Sequence, residues 1–255
     1  MELSLIFPCY LEEPHLERNI DKVIRLLSLS NIDYEIVLVE DCSPDGTKEV
    51  VNKLARKYPD KVRAAFHAKN QGRGQAFMTG FSLSKGEIVG FFDVDLEVSA
   101  VYVFECIDTL RTSGCDLVVG GRIYKTHLGL IYRHILSSGY SSLVRGILKI
   151  PALDTESGYK FFKRSALTPY VNKFIHKGWF WDTEVVSRFV WENKKVESVP
   201  CLFLRNEEKR STVKPLRDAV EYLFHLLKFR KEYSKRMALG DIKPETQYAI
   251  SNKAA

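Results

Sequence analysis

The sequence predicts a three-layer α/β domain, a mainly parallel sheet sandwiched by helices with amphipathic helices towards the C-terminus. Two observations carry this. Five short apolar runs alternate with four segments of helical periodicity over the first 120 residues, the pattern of βα units in a parallel sheet. The chain has 255 residues, 45% of them apolar and 27% charged, which is ordinary for a globular protein. A chain of this size buries roughly 70–75% of its extended surface on folding and needs no disulfide or metal staple.

Residues 3–9 (LSLIFPC) form the first strand, with Pro8 near its end because proline lacks a ladder N–H. Residues 14–29 carry Leu16, Ile20, Val23, Ile24 and Leu27 at helical spacing. Residues 34–39 (YEIVLV) are a buried strand. Asp45-Gly46-Thr47 opens a helix reaching about Lys57, with Asp45 as its cap. A short strand at 62–66, a helix at 71–84, a strand at 87–92 (EIVGFF), a helix from Ser99 to about Thr112 and a strand at 116–120 (DLVVG) follow.

Ligands of such sheets bind at the carboxyl ends of the strands. The polar residues at 10–13, 40–43, 93–97 and 121–122 are therefore expected to share one rim. The second half is less regular. Residues 128–148 read as one or two amphipathic helices, 154–160 (DTESGYK) as a polar loop before a strand at Phe161 and Phe162, and 179–191 as a helix with aromatics at its start. A strand at 196–204 and a basic amphipathic helix at 216–235 precede a polar, frayed tail at 241–255.

The five cysteines, an odd number without zinc spacing, read as free thiols in a reducing compartment. There is no run of 18 apolar residues and no signal-peptide pattern at the start. The expected location is cytoplasmic, peripheral on the cytosolic face of a membrane. The formal charge of +6 is unevenly spread. Residues 122–149 hold five basic residues and no acid, and residues 205–236 a net of +5. Such a one-sided basic surface suits a phosphate-bearing substrate or an anionic membrane, although a charge run taken alone is more often a solvated helix face.

The strongest local motif is FFDVDLE. Asp93 and Asp95 sit two apart just past a buried strand, with Glu97 two further on. Clustered carboxylates repel one another and lose hydration unless a positive charge sits between them. Mg²⁺ or Mn²⁺ on Asp93, Asp95 and Glu97, shared with a substrate diphosphate, would resolve this. Asp41 (VEDCSPDGT) offers an acceptor for a base N–H, and Tyr10 (PCYLEE) a face for stacking a base. The Gly72-x-Gly74 pair (NQGRG) is not completed to a dinucleotide fingerprint, and no GxxxxGK[ST] occurs.

PCYLEE, VEDCSPDGT, NQGRGQAFMTGFSLSKGEIVGFFDVDLE, DLVVGGR, DTESGYKFF and VPCLFLRNEEKRST follow one another in an order that resembles family 2 glycosyltransferases of the GT-A fold. Within that family the chain is most similar to polyprenyl-phosphate (dolichyl-phosphate) mannose and glucose synthases. The resemblance covers about residues 3–236, which would be one catalytic domain with a nucleotide-sugar half (1–121) and an acceptor half (122–236), followed by a tail. It implies that Pro8, Tyr10, Glu12 and Asp41 hold the nucleoside of a UDP- or GDP-sugar. Asp93 would sit by the ribose and diphosphate, and Asp95 and Glu97 would ligate the metal. Arg122 would face the transferred sugar or acceptor phosphate, Arg133 and Ser137 would bind the acceptor phosphate, and Arg205 with Lys209 or Arg210 would clamp the donor diphosphate. The chain departs from the family pattern in VED for VDD, in Glu97 where mannose synthases often carry Gln, in NEEKRST without its glycine, and in WFWDTE.

The implied reaction is a single inverting displacement in which Asp95 and Arg122 are catalytic. A lipid phosphate is already an anion and needs positioning more than a base. A hydroxyl acceptor needs a carboxylate base, for which Asp182, Glu184 and Asp154 are the candidates, against plainer roles as helix cap, exposed helix residue and turn residue. Trp179, Phe180 and Trp181 would pack either a sugar face or the core. The acid-free 122–149 stretch, with Leu130, Ile131, Ile135 and Leu136 among its basic residues, and the helix carrying Leu223, Phe224, Leu226, Leu227 and Phe229 favour a polyprenyl-phosphate acceptor at a membrane surface. A glycan or other hydroxyl acceptor is the alternative within the enzyme class. Outside it stand a nucleic-acid-binding protein, which would leave the carboxylates without a role, and a non-catalytic sugar-nucleotide-binding module. No nucleic acid is expected as a partner, and a membrane-anchoring partner protein is compatible with the missing span.

Overall fold

The computed structural model describes residues 1–124, 144–151, 153–205 and 215–238. The expected segments at 128–143 and 241–255, and with them Arg133, Ser137, Lys209 and Arg210, lie outside the described residues.

Seven strands make one sheet: β1 (Leu3–Cys9), β2 (Tyr34–Glu40), β3 (Val62–Phe66), β4 (Ile88–Phe92), β5 (Leu117–Tyr124), β6 (Tyr159–Lys163) and β7 (Val196–Phe203). Their order across the sheet is β3-β2-β1-β4-β6-β5-β7. The helices are α1 (Leu16–Leu27), α2 (Thr47–Lys57), α3 (Arg73–Leu83), α4 (Tyr102–Thr112), a single turn α5 (Arg164–Leu167), α6 (Trp181–Trp191) and α7 (Pro215–Ala238). Residues 144–148 are also helical.

Strand alternation divides the core between the two faces of the sheet. Leu3, Leu5, Phe7, Ile36 and Leu38 pack with Ile20, Val23, Leu54, Val103 and Ile107 of α1, α2 and α4. Ile6, Val37, Val39, Val89 and Phe91 face Ala76 and Phe77 of α3 and Trp181, Val185 and Phe189 of α6. A third cluster seats α7: Leu226, Phe229 and Tyr233 pack against Phe180, Val190 and Trp191, with the Trp191 and Tyr233 rings stacked. All five cysteines are free, and four are buried.

The sheet is mainly parallel, as expected, with β6 running antiparallel between β4 and β5 as the exception. One feature differs from the expectation: β5 continues to Tyr124, since eight residues pair with β7, so Arg122 lies within a strand rather than just past one. Pro8 is tolerated inside β1 because the pairing with β4 covers only Leu3–Ile6, and proline's missing N–H falls beyond it.

Candidate active site

The carboxyl ends of β1, β2 and β4 lie side by side, and the loops after β1 and β2 are stitched together by short polar contacts. The Leu11 N–H donates to Ser43 Oγ, the Glu12 N–H to Thr47 Oγ1 at 2.9 Å, and the Gly46 N–H to Glu13 Oε2 at 2.9 Å. Leu11, Cys42 and Leu96, one in each of these three loops, take left-handed φ values of 59°, 57° and 52°. Such conformations are costly for residues with a side chain and concentrate at functional sites. The cap of α2 falls on Gly46 rather than on the expected Asp45, whose carboxylate instead closes a local turn by accepting from the Thr47 N–H at 3.2 Å.

On this rim Tyr10 is 43% exposed, presenting its ring to solvent, while Glu12 is buried. Asp41 is buried and already bound by the chain. Its carboxylate lies 2.6 Å from His67 Nδ1 and accepts from the Gln71 and Gly72 N–H groups at 2.8 and 2.7 Å. A carboxylate offers about four acceptor positions, so these partners leave room for one more donor. His67 Nε2 in turn meets Thr79 Oγ1 at 2.9 Å. Gly72 has φ 90°, and a Cβ there would stand 2.7 Å from the Lys177 carbonyl, so only glycine fits.

Arg73, absent from the expected site residues, is the hub of the β4 end. Its Nη2 lies 2.7 Å from Asp93 Oδ1 and its Nε 3.3 Å from Asp182 Oδ2. The guanidinium lies over the Phe91 and Trp179 rings, 4.8 and 4.5 Å from their centroids. Burial opposes its charge, but the carboxylates of Asp182, Asp93 and Asp95 outweigh that and raise its pKa. Asp182 also pairs with Lys160 Nζ at 2.6 Å. Burial pulls the Lys160 pKa down despite that partner.

The Asp93 N–H donates to the Gly158 carbonyl at 3.1 Å, and a Cβ on Gly158 would overlap the Asp93 carboxylate. The Glu97 N–H donates to Asp95 Oδ1, and the Leu204 N–H to the Glu97 carbonyl at 2.8 Å. That last bond brings the exposed Arg205 beside the carboxylate loop. Among the described residues no three His, Cys, Asp or Glu side chains already converge on a metal position. The oxygen chemistry of Asp93, Asp95 and Glu97 nevertheless fits a hard divalent cation of the kind held by one or two carboxylates and completed by water and substrate phosphate.

The remaining expected residues are held in ion pairs. Arg122 forks onto Asp154, Nε to Oδ2 at 2.6 Å and Nη2 to Oδ1 at 2.9 Å. Burial opposes its charge, yet the Asp154 bond leaves its pKa raised. Glu184, expected on an exposed helix face, is fully buried, because every residue of α6 is buried. It accepts from Arg188 Nε at 2.8 Å and from the His176 N–H at 2.8 Å, with His176 Nδ1 at 2.9 Å from the same carboxylate. Burial would raise the Glu184 pKa, but His176 and Arg188 hold it low. Asp154, Asp182 and Glu184 therefore each sit against a cation. Glu156 differs: its side chain is 36% exposed, 3.9 Å from Arg122 Nη2. Burial, reinforced by Asp154 and Asp182 against Arg122 and Lys160, pushes its carboxyl up to about 7. The signal for Arg73 and Lys160 was present in the sequence as charged residues inside otherwise Gly-flanked motifs, NQGRG and SGYK.

A family model described as glycosyl transferase family 2 matches residues 4–170. A dolichol-phosphate mannosyltransferase of Pyrococcus furiosus is 30% identical over 62% of this chain and 45% of its own length. Glycosyltransferase AglD of Haloferax volcanii is 28% identical over 74% of this chain and 31% of its own length. The chain thus spans less than half the length of these curated relatives. Among solved structures, the fold is similar to glucosyl-3-phosphoglycerate synthase from Mycobacterium tuberculosis in complex with Mn²⁺, UDP and glucosyl-3-phosphoglycerate. The TM-score is 0.65 at 19% identity, over 90% of this chain and 79% of that one. It is also similar to a mannosyltransferase from Pyrobaculum calidifontis in complex with GDP-Man and Mn²⁺, with TM-score 0.58 at 17% identity over 86% of this chain and 59% of that one.

Proposed function

Because the chain belongs to glycosyltransferase family 2, we propose that it transfers a hexose from a UDP- or GDP-sugar to a polyprenyl phosphate at a membrane surface, with inversion. The observation that carries the choice of acceptor is the state of Asp154, Asp182 and Glu184, each paired with a cation. A carboxylate locked onto arginine or lysine is a poor proton acceptor. An acceptor that arrives as a phosphate anion needs none.

In this reading Tyr10 stacks the base, and Pro8, Glu12 and Asp41 shape the nucleoside site. Asp95 and Glu97, with Asp93, hold Mg²⁺ or Mn²⁺, which when bound supplies charge neutralisation to the departing diphosphate. Arg205, followed by Lys209 and Arg210, adds positive charge on the same side. Arg122 faces the acceptor, where Arg133 and Ser137 of the basic segment would meet its phosphate. Asp182 is a positioning residue, holding Arg73 and Lys160 in place rather than moving a proton.

Membrane contact is supported by α7. Leu226 and Phe229 are buried in the protein, but Leu223, Phe224 and Leu227 are exposed, on a face that continues into Lys228, Lys231 and Lys235. Among the described residues no helix is long and apolar enough to cross a membrane. The arrangement suits a helix lying in the interface of an anionic bilayer.

A hydroxyl acceptor has one observation in its favour, the half-exposed Glu156 poised near neutrality beside Arg122. The test is transfer of labelled hexose from a panel of UDP- and GDP-sugars, with Mn²⁺ and a polyprenyl phosphate in detergent. Asp95-dependent label in the organic phase supports the reading. Donor consumption without lipid product moves the acceptor to the hydroxyl class.

A further inference from the structure

The three aromatics at the entry to α6, Trp179 and Phe180 before it and Trp181 as its first residue, have different fates. Trp181 and Phe180 are buried in the core, but Trp179 is 68% exposed. An indole this open is not held there by core packing. The Arg73 guanidinium lies 4.5 Å from its ring centroid and 4.8 Å from that of Phe91. Its position is fixed by the backbone, because the Gly74 and Gln75 N–H groups both donate to the Lys177 carbonyl, at 2.8 and 3.1 Å. The loop carrying Trp179 is thereby pinned to the start of α3, beside the β4 carboxylates.

Placement along the rim says which part of a donor would meet it. Tyr10 and Asp41 follow β1 and β2, on one side of Asp93. The backbone just before Arg73 starts at Asp41, to which the Gly72 N–H donates, but the guanidinium under Trp179 reaches across to Asp93 and on to Asp182, the partner of Lys160 of β6 on the other side. In a nucleotide sugar the base and the hexose lie at opposite ends of the diphosphate. With the diphosphate at the β4 carboxylates and the base by Tyr10, the hexose falls on the Trp179 side. We propose that Trp179 is the stacking platform for the donor hexose, its inner face held by Arg73 and its outer face against the sugar C–H bonds. This rests on the donor reading given above and assigns the residue that recognises the sugar within it.

Trp179 is one of three tryptophans, and the other two are buried, so its emission is the one a bound sugar would disturb most. The experiment titrates UDP-hexoses and GDP-hexoses against bare UDP and GDP, all with Mn²⁺, following fluorescence and affinity. In the unmodified protein the matching nucleotide sugar shifts the emission beyond the change given by its nucleoside diphosphate. Trp179→Ala removes that extra shift and weakens nucleotide-sugar binding about 3- to 10-fold, the range of an aromatic stacking contact, with bare diphosphate binding unchanged. Trp179→Phe recovers part of the loss, which a mere gap above Arg73 would not predict. The inference is overturned if Trp179→Ala weakens nucleotide and nucleotide sugar equally, or leaves the sugar-dependent difference intact. Failure of the unmodified protein to bind any nucleotide with Mn²⁺ would instead defeat the donor reading itself, and the inference with it.

Discussion

Arg73 Nη2 stands 2.7 Å from Asp93 Oδ1, so the first carboxylate of the DxD pair is tied to a largely buried guanidinium from a different βα unit. The same guanidinium reaches Asp182. The carboxylate cluster thus has a resident counter-charge, which lets it form at a strand end before any cation arrives.

Removing that counter-charge takes one of its two cations from Asp182, which keeps Lys160, and the guanidinium bond from Asp93. Arg73→Ala is expected to lower unfolding stability by about 1–3 kcal/mol, the cost of losing hydrogen bonds to a charged group, as read from urea denaturation. Arg73→Lys should restore little of it, because one ammonium cannot fork to Asp93 and Asp182 together.

Gly158 presses on the same carboxylate. In Gly158→Ala the new methyl would displace Asp93, a movable side chain, so the fold should survive with a change within about 1 kcal/mol. Mn²⁺-dependent nucleotide binding should fall, and calorimetric titration of the variant beside the parent would detect it. Unchanged binding would mean that Asp93 has no part in the donor site.

Glu156 gives a pH signature. Its carboxyl is raised by burial to about 7 in the folded protein, above the value of an unfolded chain. The folded state therefore holds the proton longer, and stability from this group is present below about pH 4.5 and lost as the pH rises through 7. Glu156→Gln should leave the melting temperature unchanged at pH 4.5 and raise it at pH 8 in metal-free buffer. A variant no more stable than the parent at pH 8 would remove the basis for a neutral Glu156.

The outer face of α7 predicts a binding change without a folding change. Phe224→Glu with Leu227→Glu adds acid to exposed positions. Co-flotation with vesicles containing phosphatidylglycerol should drop several-fold while the circular dichroism spectrum is kept. Equal flotation would place any membrane contact elsewhere on the chain.

The strands were legible because burial on both faces of a sheet leaves continuous apolar runs such as YEIVLV and IVGFF. The DVD carboxylates were legible because they break such a run abruptly. The antiparallel insertion of β6 was not, since no local pattern says which strands become neighbours across a connection of more than thirty residues. Arg73 was hidden for a similar reason: its partners are 20 and 109 positions away, and a charged residue between glycines reads as a loop. Glu184 was misjudged because its polar neighbours Thr183, Ser187 and Arg188 imitate a solvent face. That face is instead buried, with Glu184 joined to Arg188 and His176.

The claim that matters most is that the acceptor brings its own negative charge. It is tested most directly by offering two lipids that differ only in that charge, a polyprenyl phosphate and the corresponding polyprenol, with the preferred donor and Mn²⁺. Label entering only the phosphate-bearing lipid, and lost in Asp95→Ala, is the predicted result. Comparable transfer to the free alcohol would contradict it, and would require a working base that Asp154, Asp182 and Glu184, held as they are, do not provide.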